Sequence, residues 1–263
     1  MTLSKYYELA RTDLFEKITY FWNQLFGALF ISIILFIFLQ IWTTLGQEQG
    51  LLQGYTVPQL LWYLAFAEVI LFSSGNEWLE KIGEEVRSGA LGLHLLKPMN
   101  YVGAKFSLHF ENFLYSFFSI GIFAFSVCYF LVGPIPVSIT TVLTAFIAAT
   151  LGALLNFFFI TTLGLLAFWL EDVSSIWWIY SKLLFIIGGM LIPLDLYPDW
   201  LQAITNYLPF SYIMYWPAKI LVNYAGINIL SVFGMQLLWI LIAAFILTST
   251  YLAGIRQVNM HGG

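Results

Sequence analysis

Six apolar stretches, each long enough to cross a lipid bilayer, dominate the sequence. They cover approximately Tyr20–Trp42, Val57–Ser74, Phe113–Val132, Val137–Leu170, Ile176–Ile192 and Ile229–Tyr251. A hydrocarbon core of about 30 Å is crossed by about 20 apolar residues in a helix. Because lipid offers no hydrogen-bond partners to an open backbone, each stretch predicts a helix. We therefore expect an all-α integral membrane protein with about six transmembrane helices.

The composition excludes a water-soluble domain and several classes of function. Hydrophobic residues make up 60% of the 263 residues and charged residues only 9%, where a soluble domain has about 25% charged residues. No basic run is present that could neutralise a nucleic acid backbone, so nucleic acid is not an expected partner. The single cysteine, Cys128, excludes an internal disulfide. The three histidines lie far apart, so no metal site is predicted.

The basic residues predict the orientation in the membrane. Eight of the ten lie before the first stretch, between the second and third or after the sixth, and a ninth lies near the start of the fifth stretch, just after the fourth connection: Lys5, Arg11, Lys17, Lys81, Arg87, Lys97, Lys105 and Arg256, with Lys182 as the ninth. Only Lys219 falls in an alternate connection. Cytoplasmic connections carry an excess of Lys and Arg. We therefore expect both termini in the cytoplasm.

The first 19 residues predict an amphipathic helix that precedes the first span. Apolar residues recur there at spacings of three and four: Leu3, Tyr6, Tyr7, Ala10, Leu14 and Ile18. Charged residues lie between them, as in helices that lie on a membrane surface. We expect residues 1–19 to lie along the inner surface, either as an anchor alone or with a protein partner.

The loop of residues 75–105, between the second and third spans, combines a charged face with an apolar stripe. The charged residues of its first part are Glu77, Glu80, Lys81, Glu84, Glu85 and Arg87, and the stripe is Trp78, Leu79, Ile82 and Val86. This spacing predicts a short cytoplasmic helix. Gly89 should end that helix, and Pro98 bars its continuation. The loop is either a docking element or a solvated connection.

A segment rich in proline and aromatic residues, residues 193–228, separates the last two spans. Its prolines are Pro193, Pro198, Pro209 and Pro217. Because proline lacks an amide donor and breaks helices, the segment predicts short helices that form a re-entrant hairpin on the extracellular side. Such a hairpin serves as a lid over a pathway or as a structural cap on the bundle.

Polar chemistry inside the spans is sparse, and no catalytic motif is present. Glu68 is the clearest acidic residue inside a span, which makes it a functional hypothesis by default. Ser73 and Ser74 lie one or two turns away, so a hydrogen bond across helices is the favoured interpretation, ahead of proton coupling. The sequence contains no GxxxxGK[ST] phosphate loop, no HExxH and no GxSxG. We therefore expect neither ATP hydrolysis nor another catalytic activity from this chain.

The order of these elements, together with two local patterns, resembles the permease subunit of type-2 ABC exporters. One stretch, IGEEVRSGALGLHLLKPMN, is similar to the family's cytoplasmic element "I…R.G.L…LLKP". A second, IPLDLYPDWLQAITNYLPFSYIMYWPAKI, is similar to its outer segment "IPL…P.WL..I…LPF…..P..I". Together they cover about a fifth of the chain, and the topology covers the rest.

The resemblance implies one transmembrane permease domain, residues 1–263, in a cell membrane such as the bacterial inner or plasma membrane. Two separately encoded ABC ATPase subunits would bind ATP and magnesium, and this chain would bind no cofactor. A second permease chain, identical or related, would complete the transporter. The substrate would be hydrophobic or amphipathic.

The resemblance also implies roles for particular residues. The ATPase-coupling residues would be Glu77, Trp78, Lys81, Glu84, Glu85, Arg87 and Gly89, and Leu95, Leu96, Lys97 and Pro98 would shape the turn back to the membrane. The extracellular gate would include Pro193, Pro198, Trp200, Pro209, Phe210 and Pro217. Two rival classes stay open, a secondary transporter or channel and an intramembrane lipid-modifying enzyme. The first should show several intramembrane charges, and the second should show paired catalytic residues near one interface.

Overall fold

The computed structural model describes residues 2–19, 22–49, 54–75 and 78–261, and helices make up most of this part of the chain. In chain order the α-helices are α1 (Thr2–Thr19), α2 (Trp22–Gln49), α3 (Val57–Ser73), α4 (Trp78–Arg87), α5 (Ala90–Leu95), α6 (Tyr101–Val132), α7 (Ile139–Leu165), α8 (Ser174–Ile186), α9 (Asp199–Thr205), α10 (Tyr215–Val222) and α11 (Ile229–His261). Short 3-10 turns follow α7 and interrupt residues 193–214.

Five helical stretches are long and apolar enough to cross a membrane, counting only the residues that the structure describes; they contain α2, α3 together with α4, α6, α7 and α11. They coincide with five of the six expected spans. An all-helical fold with spanning helices is therefore confirmed, while the cytoplasmic placement of the termini stays a prediction.

The expected fifth span, Ile176–Ile192, is not a continuous helix. Helix α8 ends at Ile186 after 13 residues, which is about 20 Å by helical rise and too short for a 30 Å core. The backbone turns at Gly189, whose φ of +69° lies in the left-handed region that favours glycine. The two glycines at 188 and 189 therefore end the helix.

Three of the spans begin at side chains that cap the first turn. Thr56 accepts from the Gln59 amide before α3, Asn100 accepts from the Gly103 amide before α6, and Ser138 accepts from the Thr141 amide before α7. Each cap supplies an acceptor to an amide that has no partner within the helix. These caps fix where the spans start at the two ends of the bundle.

Helix α3 lies at the centre of the bundle and α7 connects its two ends. Helix α3 packs against α2, α6 and α10, and most of its side chains are buried. Helix α7 contacts α4 near its C-terminal end, where Gly164 lies against Ile82, and the hairpin near its middle, where Gly152 lies against the Ile213 carbonyl. A Cβ at Gly152 would come within 2.6 Å of that oxygen, so only glycine permits this approach.

One end of the bundle gathers the start of α1, the α4 helix and the end of α11. The Tyr6 hydroxyl accepts from the Asn100 amide at 3.0 Å, and the rings of Tyr101 and Tyr251 stack with centroids 6.2 Å apart. Because Tyr6 and Tyr251 lie near opposite termini, both ends of the described chain lie at this end of the bundle. Five spanning helices alone would leave the termini at opposite ends, so the segment that contains α8 has to supply the remaining passage from one end of the bundle to the other.

Helix α1 packs lengthwise on α6. Tyr6 contacts Gly103 at the start of α6, and eleven residues later Lys17 binds Glu111, with 2.6 Å between the Lys17 Nζ and a carboxylate oxygen. The two helices therefore run in the same direction. Helix α6 has 32 residues, about 48 Å, which exceeds the hydrocarbon core by about 18 Å. The expected helix is present over these residues and runs beside this extended part of α6, while its placement along the inner membrane surface stays a prediction.

Candidate functional site

Helix α4 is anchored by its apolar stripe. Leu79 and Ile82 are buried, and a Cβ at Gly83 would lie 2.4 Å from Val173 Cγ2 at the start of α8. Ile82 in turn contacts Gly164 near the end of α7. The stripe predicted from sequence is therefore the face that fixes α4 to two other helices, and the opposite face points away from the bundle.

Glu85 belongs to the anchored face of α4, although the sequence suggested a docking role. Its carboxylate accepts from the Tyr101 hydroxyl at 2.7 Å and lies 2.5 Å from Lys105 Nζ. Lys105 is buried, so this ion pair is shielded from water on one side. Glu85 therefore ties α4 to the first turns of α6.

Arg87 joins the end of α4 to the connection between α7 and α8. Its guanidinium donates to the Glu171 carbonyl at 3.0 Å and lies 3.9 Å from an Asp172 carboxylate oxygen. Asp172 also accepts from the Ser174 hydroxyl and amide at the start of α8. These hydrogen bonds from Ser174, with a smaller effect of Arg87, lower the pKa of Asp172. Arg87 is therefore partly committed to contacts within the chain.

Most of the remaining predicted docking residues are exposed at this end of the bundle. Lys81, Glu84, Gly89, Leu96, Lys97 and Pro98 are exposed, Leu96 most of all. Trp78 is half-buried, with Lys81 and Lys105 within 6 Å of its ring, and Leu95 is half-buried. Glu77 lies outside the described residues. We call this exposed set the α4 surface.

A polar cluster at the other end of the bundle was missed by sequence reasoning. The Asp195 carboxylate accepts from the Tyr55 hydroxyl at 2.5 Å and the Tyr215 hydroxyl at 2.9 Å, and Lys219 Nζ lies 2.7 Å away. Lys219 also donates to the Tyr215 hydroxyl at 2.8 Å. Burial, and then the Asp195 carboxylate, raise the pKa of Tyr55 above its ordinary value. The Tyr55 hydroxyl therefore stays a donor.

This Asp195 cluster connects three separate segments. Tyr55 precedes α3, Asp195 follows Pro193 in the hairpin, and Tyr215 and Lys219 lie one turn apart on α10. Two features of the sequence indicated a polar contact here. Tyr215 and Lys219 are spaced one helical turn apart, and Lys219 is the one basic residue predicted on the outer side. Neither signal identifies Asp195 or Tyr55 as the partner.

The predicted gate residues do not form one patch. Pro193, Pro209 and Pro217 are buried, whereas Pro198 and Trp200 are exposed at the start of α9. Phe210 packs against Tyr180 of α8, with ring centroids 6.1 Å apart. The prolines therefore shape the hairpin, and the Asp195 cluster is one of its polar attachments to the bundle, together with the hydrogen bonds from Gln59 to the Val222 carbonyl and from Gln236 to the Tyr212 carbonyl.

Glu68 is buried in the centre of the bundle without the hydrogen bond that we expected. It is 1% exposed, and neither carboxylate oxygen has a hydrogen-bond partner among the described residues. Ser73 and Ser74 donate instead to the carbonyls of Val69 and Ile70 in their own helix. Within the described part of the chain, no three His, Cys, Asp or Glu side chains are placed to hold a metal ion.

Comparison with known families identifies the family of the chain. A family model described as "ABC-2 family transporter protein" matches residues 28–262. The chain belongs to the ABC-2 transporter family. This ABC-2 chain is a membrane permease of an ABC transporter and a multi-pass membrane protein. A search of curated proteins found no significant match.

Membership of the ABC-2 family gives the two ends of the helical bundle different relevance to transport. Permeases of ABC transporters work with ABC ATPase subunits and contribute transport, not catalysis. In this ABC-2 chain the α4 surface is a charged surface at the end that holds both termini, where α1 also exposes charged side chains, and the Asp195 cluster lies at the opposite end.

Proposed function

We propose that this chain is the permease subunit of an ATP-driven exporter and that a separately encoded ABC ATPase binds the α4 surface. The observation that carries the proposal is the division of α4 into an anchored face and an exposed face. Leu79, Ile82 and Glu85 bind the rest of the chain, while Lys81 and Glu84 are presented outward. A helix anchored on one side and charged on the other suits a protein partner.

Force applied to α4 would reach three helices directly. Gly83 and Arg87 contact the start of α8, Ile82 contacts α7, and Glu85 contacts α6. A displacement of α4 therefore moves these helices as packed bodies, which is a common form of coupling between distant sites. ATPase closure would bind one arrangement more tightly than the other and shift the population between them.

The hairpin would form the outer gate, and the Asp195 cluster would hold it closed. Asp195 links the hairpin to the start of α3 through Tyr55, and it links the two parts of the hairpin to each other through Lys219 of α10. Opening a path beside the hairpin requires this cluster to separate or to move as a unit. In the complete transporter we expect two ATPase subunits, which would bind ATP and magnesium, and a second permease chain. The substrate would be hydrophobic or amphipathic.

The proposal is tested by recovering the ATPase with the permease. The full chain is extracted from its native membrane in mild detergent and captured, and ATP hydrolysis in the eluate is measured. We expect the wild type to retain an ATPase and Glu84→Lys to lose it, because the substitution reverses a charge on the α4 surface. Asp199→Lys is the matched control, since Asp199 is an exposed acid at the opposite end of the bundle.

Two outcomes would contradict this function. If no ATPase were recovered with the wild type, the proposed exporter would have no energy source, and a secondary transporter that uses Glu68 would be the better hypothesis. If Glu84→Lys and Asp199→Lys released the ATPase equally, the docking surface would lie elsewhere.

A further inference from the structure

Two acids and one base meet where the second half of α1 lies on α6. The Lys17 ammonium is 2.5 Å from Asp13 Oδ2 and 2.6 Å from Glu111 Oε2. These two carboxylate oxygens are therefore at most about 5 Å apart, and the two carboxyl groups are within hydrogen-bond reach of each other. We call Asp13, Lys17 and Glu111 the Glu111 cluster.

The charges of the Glu111 cluster do not balance when both acids are ionised. Lys17 then supplies one positive charge, and Asp13 and Glu111 supply two negative charges. The ammonium compensates one carboxylate, so the charge of the second stays uncompensated. The side chains of Glu111 and Asp13 are only 10% and 30% exposed, and burial of an uncompensated charge favours the neutral acid.

The hydrogen bonds of the cluster are incomplete at the same place. Among the described residues, Glu111 Oε1 and Asp13 Oδ2 are buried oxygens without a donor, since Oδ2 lies beside the ammonium but outside hydrogen-bond geometry. Ionised carboxylates only accept, so the two acids cannot bond to each other in that form. One proton on either acid supplies a donor and also removes the surplus negative charge.

The helices around the cluster contribute few other titratable groups. On α6, Tyr115 and His109 interact electrostatically with it. The Tyr115 hydroxyl donates to the Lys17 carbonyl, and the His109 ring contacts a carbonyl of α7. Residues 22–47 of α2 and all of α7 contain no charged side chain. Glu68 of α3 shows no charge interaction with the cluster.

The other charged side chains of α1 and of the start of α6 are paired elsewhere or exposed. Lys105 of α6 pairs with Glu85 of α4, about 9 Å nearer the start of α6 by helical rise. Arg11 and Glu8 lie 3.7 Å apart on an exposed face of α1, and Glu16 is exposed. The missing positive charge is therefore not supplied by these side chains.

We propose that Asp13 and Glu111 hold one proton between them and that this proton controls how firmly the end of α1 is attached to α6. The proposal does not depend on the export function. With the proton bound, the cluster is neutral, and one acid donates to the other while Lys17 binds both. When the proton leaves to water through the partly exposed Asp13, two anions share one ammonium and repel each other. The attachment is therefore complete at low pH and weakens as the pH rises.

The first half of α1 has a separate attachment, so the effect should be local. The Tyr6 hydroxyl accepts from the Asn100 amide, and its ring lies against Gly103. Neither contact involves a group that loses a proton with the cluster. Loss of the shared proton should therefore loosen the last two turns of α1 and leave the first two in place.

The test measures amide hydrogen exchange in α1 by mass spectrometry, with rates corrected for the intrinsic effect of pH on exchange. The full chain is placed in nanodiscs and studied between about pH 5 and pH 9. We expect the protection of residues 12–19 to decrease several-fold as the pH rises. The protection of residues 2–9 should stay unchanged.

Glu111→Gln distinguishes a shared proton from an ordinary ion pair. The amide resembles the protonated acid, because its oxygen accepts from Lys17 while its NH₂ group donates to Asp13. We therefore expect this variant, and Asp13→Asn, to keep the low-pH protection of α1 at every pH. Glu8→Gln, at an exposed acid of the same helix, is the matched control and should retain the wild-type response to pH.

An infrared titration gives a second readout that does not rely on exchange. The carbonyl band of a protonated carboxyl should disappear from the wild type over the pH range in which α1 loosens. Glu111→Gln and Asp13→Asn should each remove this change. A change of the same size in both variants would assign the proton to another group and overturn the proposal.

Three exchange results would also overturn it. Protection of residues 12–19 that does not depend on pH in the wild type would show that the cluster holds no exchangeable proton. Weaker protection of Glu111→Gln at every pH would show a permanent ion pair with Lys17. Loosening at high pH that sodium chloride prevents and choline chloride does not would assign the place between the acids to a metal cation.

Discussion

Gly83 of α4 and Val173 at the start of α8 are so close that a Cβ at position 83 would lie 2.4 Å from Val173 Cγ2. Val173 is β-branched and buried, so it has little freedom to move aside. The Val173 side chain therefore packs directly against the backbone of α4 at Gly83, and α4 cannot shift far without moving the start of α8.

Gly83→Ala should consequently lower the stability of the permease by about 1–3 kcal/mol, because an added methyl overpacks this contact. Thermal unfolding in detergent, followed by intrinsic fluorescence, measures the change. Gly92→Ala is the control, since a Cβ at Gly92 meets no atom within 4 Å. Equal melting temperatures for the two variants would show that α4 is not fixed at Gly83.

Glu85 and Glu84 are adjacent acids with different environments, and they should respond differently to loss of charge. Glu85→Gln removes the partner of the buried Lys105, so we expect a loss of about 2–3 kcal/mol. Glu84→Gln, at an exposed position, should change stability by less than about 0.5 kcal/mol. The same thermal measurement compares them. A larger effect at Glu84 would contradict the assignment of the two faces.

Asp195→Asn should loosen the outer hairpin, because an amide binds Lys219 and two hydroxyls less strongly than a carboxylate does. Hydrogen exchange, read by mass spectrometry, should rise in residues 193–222 and stay unchanged in α4. Asp199→Asn, at an exposed position in the same hairpin, serves as the control. If both variants exchange as the wild type does, the cluster does not hold the hairpin.

The Tyr55 hydroxyl should make the stability of the folded protein depend on pH in alkaline solution. Its pKa is raised in the folded chain by burial and by Asp195, so the folded state holds the proton more tightly than the unfolded state. Its contribution to stability is therefore complete below pH about 10 and decreases as the pH rises above that value. Thermal unfolding across this range should show a steeper alkaline loss for the wild type than for Tyr55→Phe. Parallel curves would refute this role of Tyr55.

Glu68→Leu should stabilise the bundle or leave it unchanged, since it replaces a buried carboxyl that has no partner among the described residues with an apolar side chain. Thermal unfolding measures this effect, and Ser73→Ala, which removes only a hydroxyl bonded within α3, provides a reference. A loss of about 2 kcal/mol or more would mean that Glu68 has a stabilising partner.

Hydropathy predicted most of the fold because five spans are continuous helices. The prediction of a continuous fifth span was wrong for a local reason, because the average hydropathy of residues 176–192 does not reveal the backbone turn at Gly189. The helical period also predicted the anchored stripe of α4, including Ile82. Burial of that stripe follows directly from its apolar character.

The candidate site was less predictable because its contacts join distant parts of the chain. Glu84 and Glu85 look alike in sequence, and only the positions of Tyr101 and Lys105 on α6 decide which acid points inward. Tyr55 and Asp195 are 140 residues apart. No local pattern indicates such a pair, so the outer cluster emerged only from the structure.

Helix α7 connects α4 mechanically to the hairpin. It touches α4 at Gly164 and the hairpin at Gly152 through contacts with almost no space between the partners. These two points lie about 18 Å apart on one continuous helix, and a tilt of about 10° displaces one relative to the other by about 3 Å. The displacement of the hairpin is then set by the tilt of this single helix, because no flexible loop lies between the two contacts to absorb the movement.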